Sequence, residues 1–177
     1  MTIAEFDHLP DEKKRELLTL CCGASAWVER MLTVFPVEDL VEFLDVAEEK
    51  WNECTEQEQM EAFEHHPKIG DINSLKEKFA DTAGWAEVEQ SGVVSSNEKT
   101  LQHLAKGNEE YENKFGFIFI VCATGRSANE MLADLNSRIN NSKEEEIKIA
   151  ATEQLKITKL RLERLFEINE STKTYEL

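Results

Sequence analysis

Apolar residues recur every three or four positions along most of the chain, which is the spacing of the buried face of an α-helix. This spacing predicts helices over residues 10–22, 24–35 and 40–54, which are separated by a glycine and by a proline. The same pattern, over shorter stretches, predicts short helices over residues 74–80 and 85–90.

Pairs of residues with capping-box spacing mark further helix starts. Thr55 with Glu58 predicts a short helix that ends near His65, because a proline follows two residues later and disfavours helical backbone before it. Ser127 with Glu130 opens a later helix in the same way. Two longer helices are predicted over residues 95–115 and 142–167.

Residues 117–123 form the one strand-like run, since they are mainly aromatic and β-branched. A single strand has no partner in a chain of helices, so we expect this run to be a buried extended segment. The sequence therefore predicts an all-α fold in which residues 1–177 form a single compact helical domain. Residues after about 168 are expected to form a mobile tail.

The charge balance is strongly acidic and narrows the range of partners. The 177 residues contain 20 Lys and Arg against 36 Asp and Glu, a net charge of -16. Because nucleic acids and anionic membranes are bound mainly through Lys and Arg, we expect neither as a partner. The longest apolar run, residues 115–124, is too short to cross a bilayer, and the first residues lack a secretory signal. The expected location is therefore the cytoplasm.

No pattern in the sequence indicates a cofactor. The four cysteines, at 21, 22, 54 and 122, lack the spacing of zinc ligands or of a secreted disulfide framework. Neither a glycine-rich nucleotide-binding motif nor an H-E-x-x-H metal motif is present. We therefore expect neither a metal nor a nucleotide cofactor.

Arg161 is the first candidate for chemistry. On a helical wheel it falls within the apolar arc of the final helix, together with Gln154 and Thr158. A guanidinium on a buried face has to meet an anion, because burying it unpaired is costly. Two interpretations stay open: a structural ion pair with an acidic residue of the chain, or a bidentate site for a substrate carboxylate.

His66 is the second candidate. The proline after it favours an extended backbone, so its ring is expected to be held in a loop at the end of a helix. A histidine titrates near neutral pH and can donate or accept a proton in a reaction. The alternative is a helix-terminal histidine without a chemical role.

Glu89 and Gln90 form the third candidate. A carboxylate beside an amide offers acceptors and donors together, which a ureido group needs from its binding site. The alternative is the solvated end of a short helix.

Four short segments carry a family resemblance through their order and spacing. They are HPKIGD at 66–71, EQSG at 89–92, FIVCATGRSA at 119–128, and KI at 156–157 with LRL at 160–162. Together these segments resemble the 2-oxo-4-hydroxy-4-carboxy-5-ureidoimidazoline (OHCU) decarboxylase family, and the resemblance spans nearly the whole chain.

The resemblance implies an all-α homodimer that uses no metal or organic cofactor and converts the anionic ureidoimidazoline to (S)-allantoin in urate degradation. It implies that His66 is the catalytic acid–base, that Glu89 and Arg161 hold the substrate, and that Gln90 contacts its ureido group or ring. The further substrate-binding residues that it implies are Pro67, Ala86, Phe119, Ile120, Val121, Cys122 and Ala123.

Ala86 departs from the family pattern. Members often carry a serine three residues before the glutamate, and this chain has alanine there. The hydroxyl's hydrogen bond is then lost or replaced, which affects substrate orientation more than the chemical step.

Two other functions remain alternatives. An acidic helical chain can present its faces to partner proteins, so a non-catalytic interaction module is one of them. The other is an enzyme of the same kind with a shifted substrate, which Ala86 leaves open.

Overall fold

The computed structural model describes residues 1–67 and 98–167. Within these two ranges the chain forms α-helices and connecting segments, with no β-strand. The all-α fold predicted from the apolar spacing is therefore confirmed for the described residues. The helices are α1 (Ile3–Asp7), α2 (Asp11–Cys21), α3 (Ser25–Leu32), α4 (Leu40–Asn52), α5 (Glu56–Glu64), α6 (Glu98–Phe115), α7 (Ala128–Arg138) and α8 (Lys143–Glu167).

Capping side chains fix where helices begin, as the sequence predicted. At the start of α5, the hydroxyl of Thr55 accepts from the backbone N–H of Glu58 at 3.3 Å. The carboxylate of Glu58 in turn accepts from the backbone N–H of Thr55 at 2.7 Å. Ser127 and Glu130 form the same reciprocal box at the start of α7. Each box satisfies amides that the first helical turn leaves without a partner.

One helix is shorter than predicted. Helix α3 ends at Leu32, whereas the apolar spacing predicted helix over residues 24–35. The ring of Phe35 instead packs on those of Phe6 and Phe43, with centroid distances of 5.4 and 5.5 Å. Because the following proline disfavours helical backbone, Phe35 reaches the core from outside the helix.

Internal contacts divide the chain into two units. The first unit comprises Met1–Ala62 with Leu155–Leu177, and the second comprises Phe63–Gln154. The single domain predicted over residues 1–177 stays a prediction.

The core of the first unit is built around aromatic rings. Phe166, near the end of α8, meets Phe6 and Phe43 edge to face, each at a centroid distance of 5.5 Å. The indole N–H of the buried Trp27 donates to the carbonyl of Ala47 at 3.0 Å, which ties α3 to α4. Aromatic pairs of this kind stabilise a core beyond the area that they bury.

The core of the second unit centres on the ring of Tyr111 in α6. The ring of Phe119 lies edge-on to it at a centroid distance of 5.3 Å. Residues 117–123 run between α6 and α7 as a mostly buried segment that is neither helix nor strand, as predicted. Helix α7 approaches α6 closely at Gly107, where a side-chain carbon would lie 2.7 Å from a methyl carbon of Leu135.

Some predictions concern residues outside the described ranges. The short helices over 74–80 and 85–90 and the tail after 168 are among them. In the part of the chain that is described, no helix combines the length and the apolar character that a membrane span requires.

Candidate active site

His66 lies two residues beyond the end of α5 and is held at two points. Its backbone N–H donates to the carbonyl of Phe63 at 3.2 Å, which anchors the residue to the end of the helix. Its ring nitrogen Nε2 lies 2.6 Å from Oε1 of Gln154 in α8. Gln154 is fully buried, His66 is half-buried and Pro67 is buried. The imidazole therefore has a fixed position within the second unit.

Residues 119–123, predicted to contact substrate, are anchored through their backbone by side chains of neighbouring helices. The N–H of Phe119 donates to Oδ1 of Asn108 in α6 at 3.3 Å. The N–H of Cys122 donates to the carboxylate of Glu153 in α8 at 2.8 Å. A backbone without strand partners still needs its polar groups satisfied, and these side chains take the place of a neighbouring strand.

The side chains of this segment are mostly removed from solvent. Phe119, Ile120, Val121 and Ala123 are buried, and Cys122 is half-buried. Their role in binding substrate stays a prediction.

A buried ion pair supports the middle of the segment. Arg138 donates to the carbonyl of Ile120 through Nη1 at 2.9 Å and to the carboxylate of Glu146 through Nε at 2.7 Å. Glu146 also accepts from the hydroxyl of Tyr111 at 2.5 Å and from the amide of Asn141 at 2.8 Å. These donors compensate a carboxylate that would be costly to bury alone.

The hydroxyl of Tyr111 is a donor in this network. Burial, and then its hydrogen bond to Glu146, raises the pKa of Tyr111 well above its ordinary value. The phenol is therefore protonated at neutral pH and donates its hydrogen bond to the carboxylate.

Arg161 lies in the first unit and is buried, as its place on the apolar face of α8 predicted. Its Nη1 donates to the carbonyl of Leu20, in the last turn of α2, at 3.5 Å. Carbonyl groups at the C-terminal end of a helix carry partial negative charge, which favours a cation there. Its predicted role in holding a substrate carboxylate, and the alternative of a structural ion pair, both stay predictions.

The predicted site is described only in part. Ala86, Glu89 and Gln90 lie outside the described residues, so their predicted roles stay predictions. His66 belongs to the second unit and Arg161 to the first. What the structure brings together is the imidazole of His66 and the amide of Gln154.

The roles of two residues that support the site, Gln154 and Glu146, were not predicted from the sequence. Gln154 was placed on the buried face of α8 but was not paired with His66. Glu146 was not singled out, although it precedes Ala150 and Gln154 on α8 at intervals of four and eight residues, and both are buried. A polar residue in register with a buried helical face is the signal that indicates such a partner.

Within residues 1–67 and 98–167, no cluster of three or more His, Cys, Asp or Glu side chains could hold a metal ion. The expectation that the protein needs no metal and no organic cofactor stays a prediction.

Comparison with known proteins decides the family. The model of the OHCU decarboxylase family matches residues 7–163. The chain belongs to this family. The recognition made from its motifs is therefore confirmed, and the predicted enzyme class, a carboxy-lyase, is that of the OHCU decarboxylases.

Two relatives match most of the length of this chain. It is 40% identical over 149 residues to the uric acid degradation bifunctional protein TTL of Arabidopsis thaliana, which covers 83% of this chain. The chain spans only 45% of that plant protein. It is 24% identical over 167 residues to the OHCU decarboxylase of Haloferax volcanii, and the match covers 94% of this chain and 96% of the relative.

Solved structures agree with the family assignment. A crystal structure of an OHCU decarboxylase in the presence of (S)-allantoin matches with a TM-score of 0.72 and 36% identity, and covers 89% of this chain and 99% of that one. A crystal structure of an (S)-allantoin synthase matches with a TM-score of 0.68 at 17% identity, which supports the fold alone. The predicted fold class, a helical fold of the OHCU decarboxylase type, is therefore confirmed.

Proposed function

We propose that this chain catalyses the cofactor-independent decarboxylation of OHCU to (S)-allantoin in urate degradation. The match of the family model to residues 7–163 carries the proposal, because it includes the positions of His66 and Arg161. The non-catalytic interaction module loses its support, since the family consists of decarboxylases. The substrate is a small anionic molecule.

The reaction requires no electron sink beyond the substrate itself. When the carbon–carbon bond to the carboxylate breaks, carbon dioxide leaves and the electron pair stays on the ring carbon. The adjacent ring carbonyl or imine accepts that pair, so a cofactor such as pyridoxal phosphate is not needed. His66 then delivers a proton from one face to the neighbouring ring carbon that carries the ureido group, which becomes the stereocentre. The hydroxyl on the carbon that lost carbon dioxide releases its proton and becomes the ring carbonyl of allantoin.

The buried guanidinium of Arg161 holds the carboxylate of the substrate. The net charge of -16 repels an anion at long range, so attraction at the site must be local. Salt screens exposed charges over about 8–10 Å but screens a buried pair much less. An arginine that is 8% exposed is therefore suited to bind an anion in an acidic protein.

The remaining roles follow from the family resemblance. Glu89 orients the hydroxyl or ring N–H of the substrate and Gln90 contacts its ureido group. Pro67, Ala86 and residues 119–123 line the pocket. The protein acts as a cytoplasmic homodimer, without a metal, an organic cofactor or a nucleic-acid partner.

The test is the formation of optically active allantoin from freshly generated substrate. Urate is oxidised enzymatically in the cuvette, and circular dichroism follows (S)-allantoin with and without the purified chain. We expect a rate far above that in buffer and a large enantiomeric excess. An unchanged rate and a racemic product would reject the function.

The role of His66 is tested with a matched neighbour. His66→Ala is expected to lower kcat by about 10²–10⁴-fold, the usual contribution of a positioned general acid. His65→Ala alters an exposed side chain one residue earlier and should leave kcat unchanged. Full activity in His66→Ala would remove the histidine from its role.

A further inference from the structure

The contact between His66 and Gln154 joins residues that are 88 positions apart in the sequence. A contact of this kind fixes how a catalytic ring is oriented. Gln154 has no exposed surface, so its amide faces little competition from water for the imidazole. The distance of 2.6 Å between Nε2 and Oε1 places the two atoms within hydrogen-bond distance.

The chemistry of an amide oxygen determines which ring nitrogen carries the proton. Oε1 of Gln154 can only accept, so Nε2 of His66 must donate to it. In the neutral imidazole, the lone pair that takes up or returns a proton then belongs to Nδ1. In the imidazolium form the proton on Nδ1 is the one available for transfer, while Nε2 stays bonded to the amide.

Glu153, the residue before Gln154, anchors another part of the candidate site. Glu153 holds the backbone N–H of Cys122 at 2.8 Å. Two consecutive residues of α8 thus hold the imidazole and the segment that is proposed to line the pocket. Because a helix is rigid over adjacent residues, the ring and this segment are held in a constant relation.

We infer that Gln154 is a positioning residue that keeps the proton of His66 on Nε2, so that proton transfer to the substrate runs through Nδ1. This inference rests on the proposed function of His66 as the acid–base. A neutral amide suits this task, because it directs the ring without adding a second negative charge beside an anionic substrate. It corresponds to the orienting group behind the base in other acid–base sites.

The experiment compares Gln154→Leu with Gln154→Glu in the full chain. Leucine removes the acceptor, whereas a carboxylate can still accept from Nε2. We expect Gln154→Leu to lower kcat about 10- to 100-fold with KM changed less than about twofold, since orienting partners have effects of this size. We expect Gln154→Glu to restore part of the lost kcat. Thr152→Ala, an exposed change on the same helix, serves as the control and should retain wild-type kcat.

A spectroscopic readout separates positioning from a merely structural role. Nitrogen-15 chemical shifts of the His66 ring, measured without substrate and assigned by comparison with His66→Ala, report the tautomer. Wild type and Gln154→Glu should show the proton on Nε2, and Gln154→Leu should show a loss of this preference. This readout needs no turnover, so it can fail while the decarboxylase activity stands.

Two results would overturn the inference. One is a wild-type ring with its proton on Nδ1. The other is a Gln154→Leu variant that keeps the wild-type tautomer and kcat. If the wild-type chain failed to form (S)-allantoin although the ring showed the Nε2 proton, the proposed function would fall and the tautomer assignment would survive.

Discussion

The guanidinium of Arg138 and the carboxylate of Glu146 meet at 2.6 Å inside the second unit, and the carboxylate has no exposed surface. The pair is part of a network, since Arg138 also donates to the carbonyl of Ile120 and Glu146 also accepts from Tyr111. In such a network the loss of one ion leaves the other buried without a charge of opposite sign.

Glu146→Ala is therefore expected to lower the free energy of unfolding by about 3–5 kcal/mol. Urea unfolding followed by far-UV circular dichroism measures the change. The control is Glu144→Ala, an exposed glutamate in the first turn of the same helix, which should cost less than about 1 kcal/mol. Equal losses in the two variants would show that burial of the pair is not what makes Glu146 important.

The proposed role of Arg161 predicts an effect on substrate binding. Arg161→Lys keeps the positive charge but loses the planar fork that binds a carboxylate at two points. We expect KM for the ureidoimidazoline to rise at least about tenfold, which corresponds to a loss of about 1.4 kcal/mol in binding. Steady-state kinetics give the value. Arg164→Lys, a half-buried arginine three residues later, should leave KM unchanged, and an unchanged KM in both variants would contradict the assignment.

The burial of the four cysteines predicts which thiols a disulfide reagent labels in the folded protein. Burial raises the pKa of the Cys22 thiol to about 12 and that of Cys54 to about 11, so both stay protonated near pH 8. Cys21 is also buried, whereas Cys122 is half-buried. Because the thiolate is the reactive form, we expect one thiol to react quickly with a disulfide reagent and three to react only after unfolding. Cys122→Ser should abolish the fast phase, and rapid labelling of more than one thiol would contradict the prediction.

The capping box at the start of α7 predicts how the free energy of unfolding depends on pH. Hydrogen bonds from the hydroxyl and the backbone N–H of Ser127 lower the pKa of Glu130 below its ordinary value in the folded protein. The unfolded chain then binds the proton more readily, so this stabilisation is present above about pH 4.5 and is lost as the pH falls through the lowered pKa. Glu130→Gln should flatten the dependence of the free energy of unfolding on pH in that acidic range. Ser127→Ala removes the hydrogen bond from the hydroxyl but keeps the one from the backbone N–H, so it should flatten the dependence less than Glu130→Gln does. Curves that stay parallel to wild type in both variants would refute the linkage.

The starts of α5 and α7 were predictable from the sequence, because a capping box is formed by two residues that are three positions apart. Thr55 with Glu58 and Ser127 with Glu130 form the predicted boxes. The buried face of α8 was predictable for a similar reason, since helical periodicity alone places Arg161 there. Local rules are sufficient where partners are neighbours in the chain.

The parts that could not be predicted depend on contacts between distant residues. Phe35 lies beyond the end of α3 and packs on Phe6, a residue that no periodicity connects to it. The partner of His66 lies 88 residues away, and many polar residues could have filled that place. The sequence indicates that the imidazole of His66 can donate or accept a proton, whereas its partner Gln154 is identified only by the three-dimensional structure.

The segment over residues 119–123 owes its shape to side chains that lie elsewhere in the chain. A β-sheet would supply its hydrogen bonds from main-chain groups, which every residue type carries, and would tolerate substitution of its neighbours. Here Asn108, Arg138 and Glu153 fill that place, and each is a specific chemical group. A substitution at any of these three helical positions therefore alters the contour of the segment as directly as a change within it. A redesign of this segment therefore has to include Asn108, Arg138 and Glu153 together with the residues that they hold.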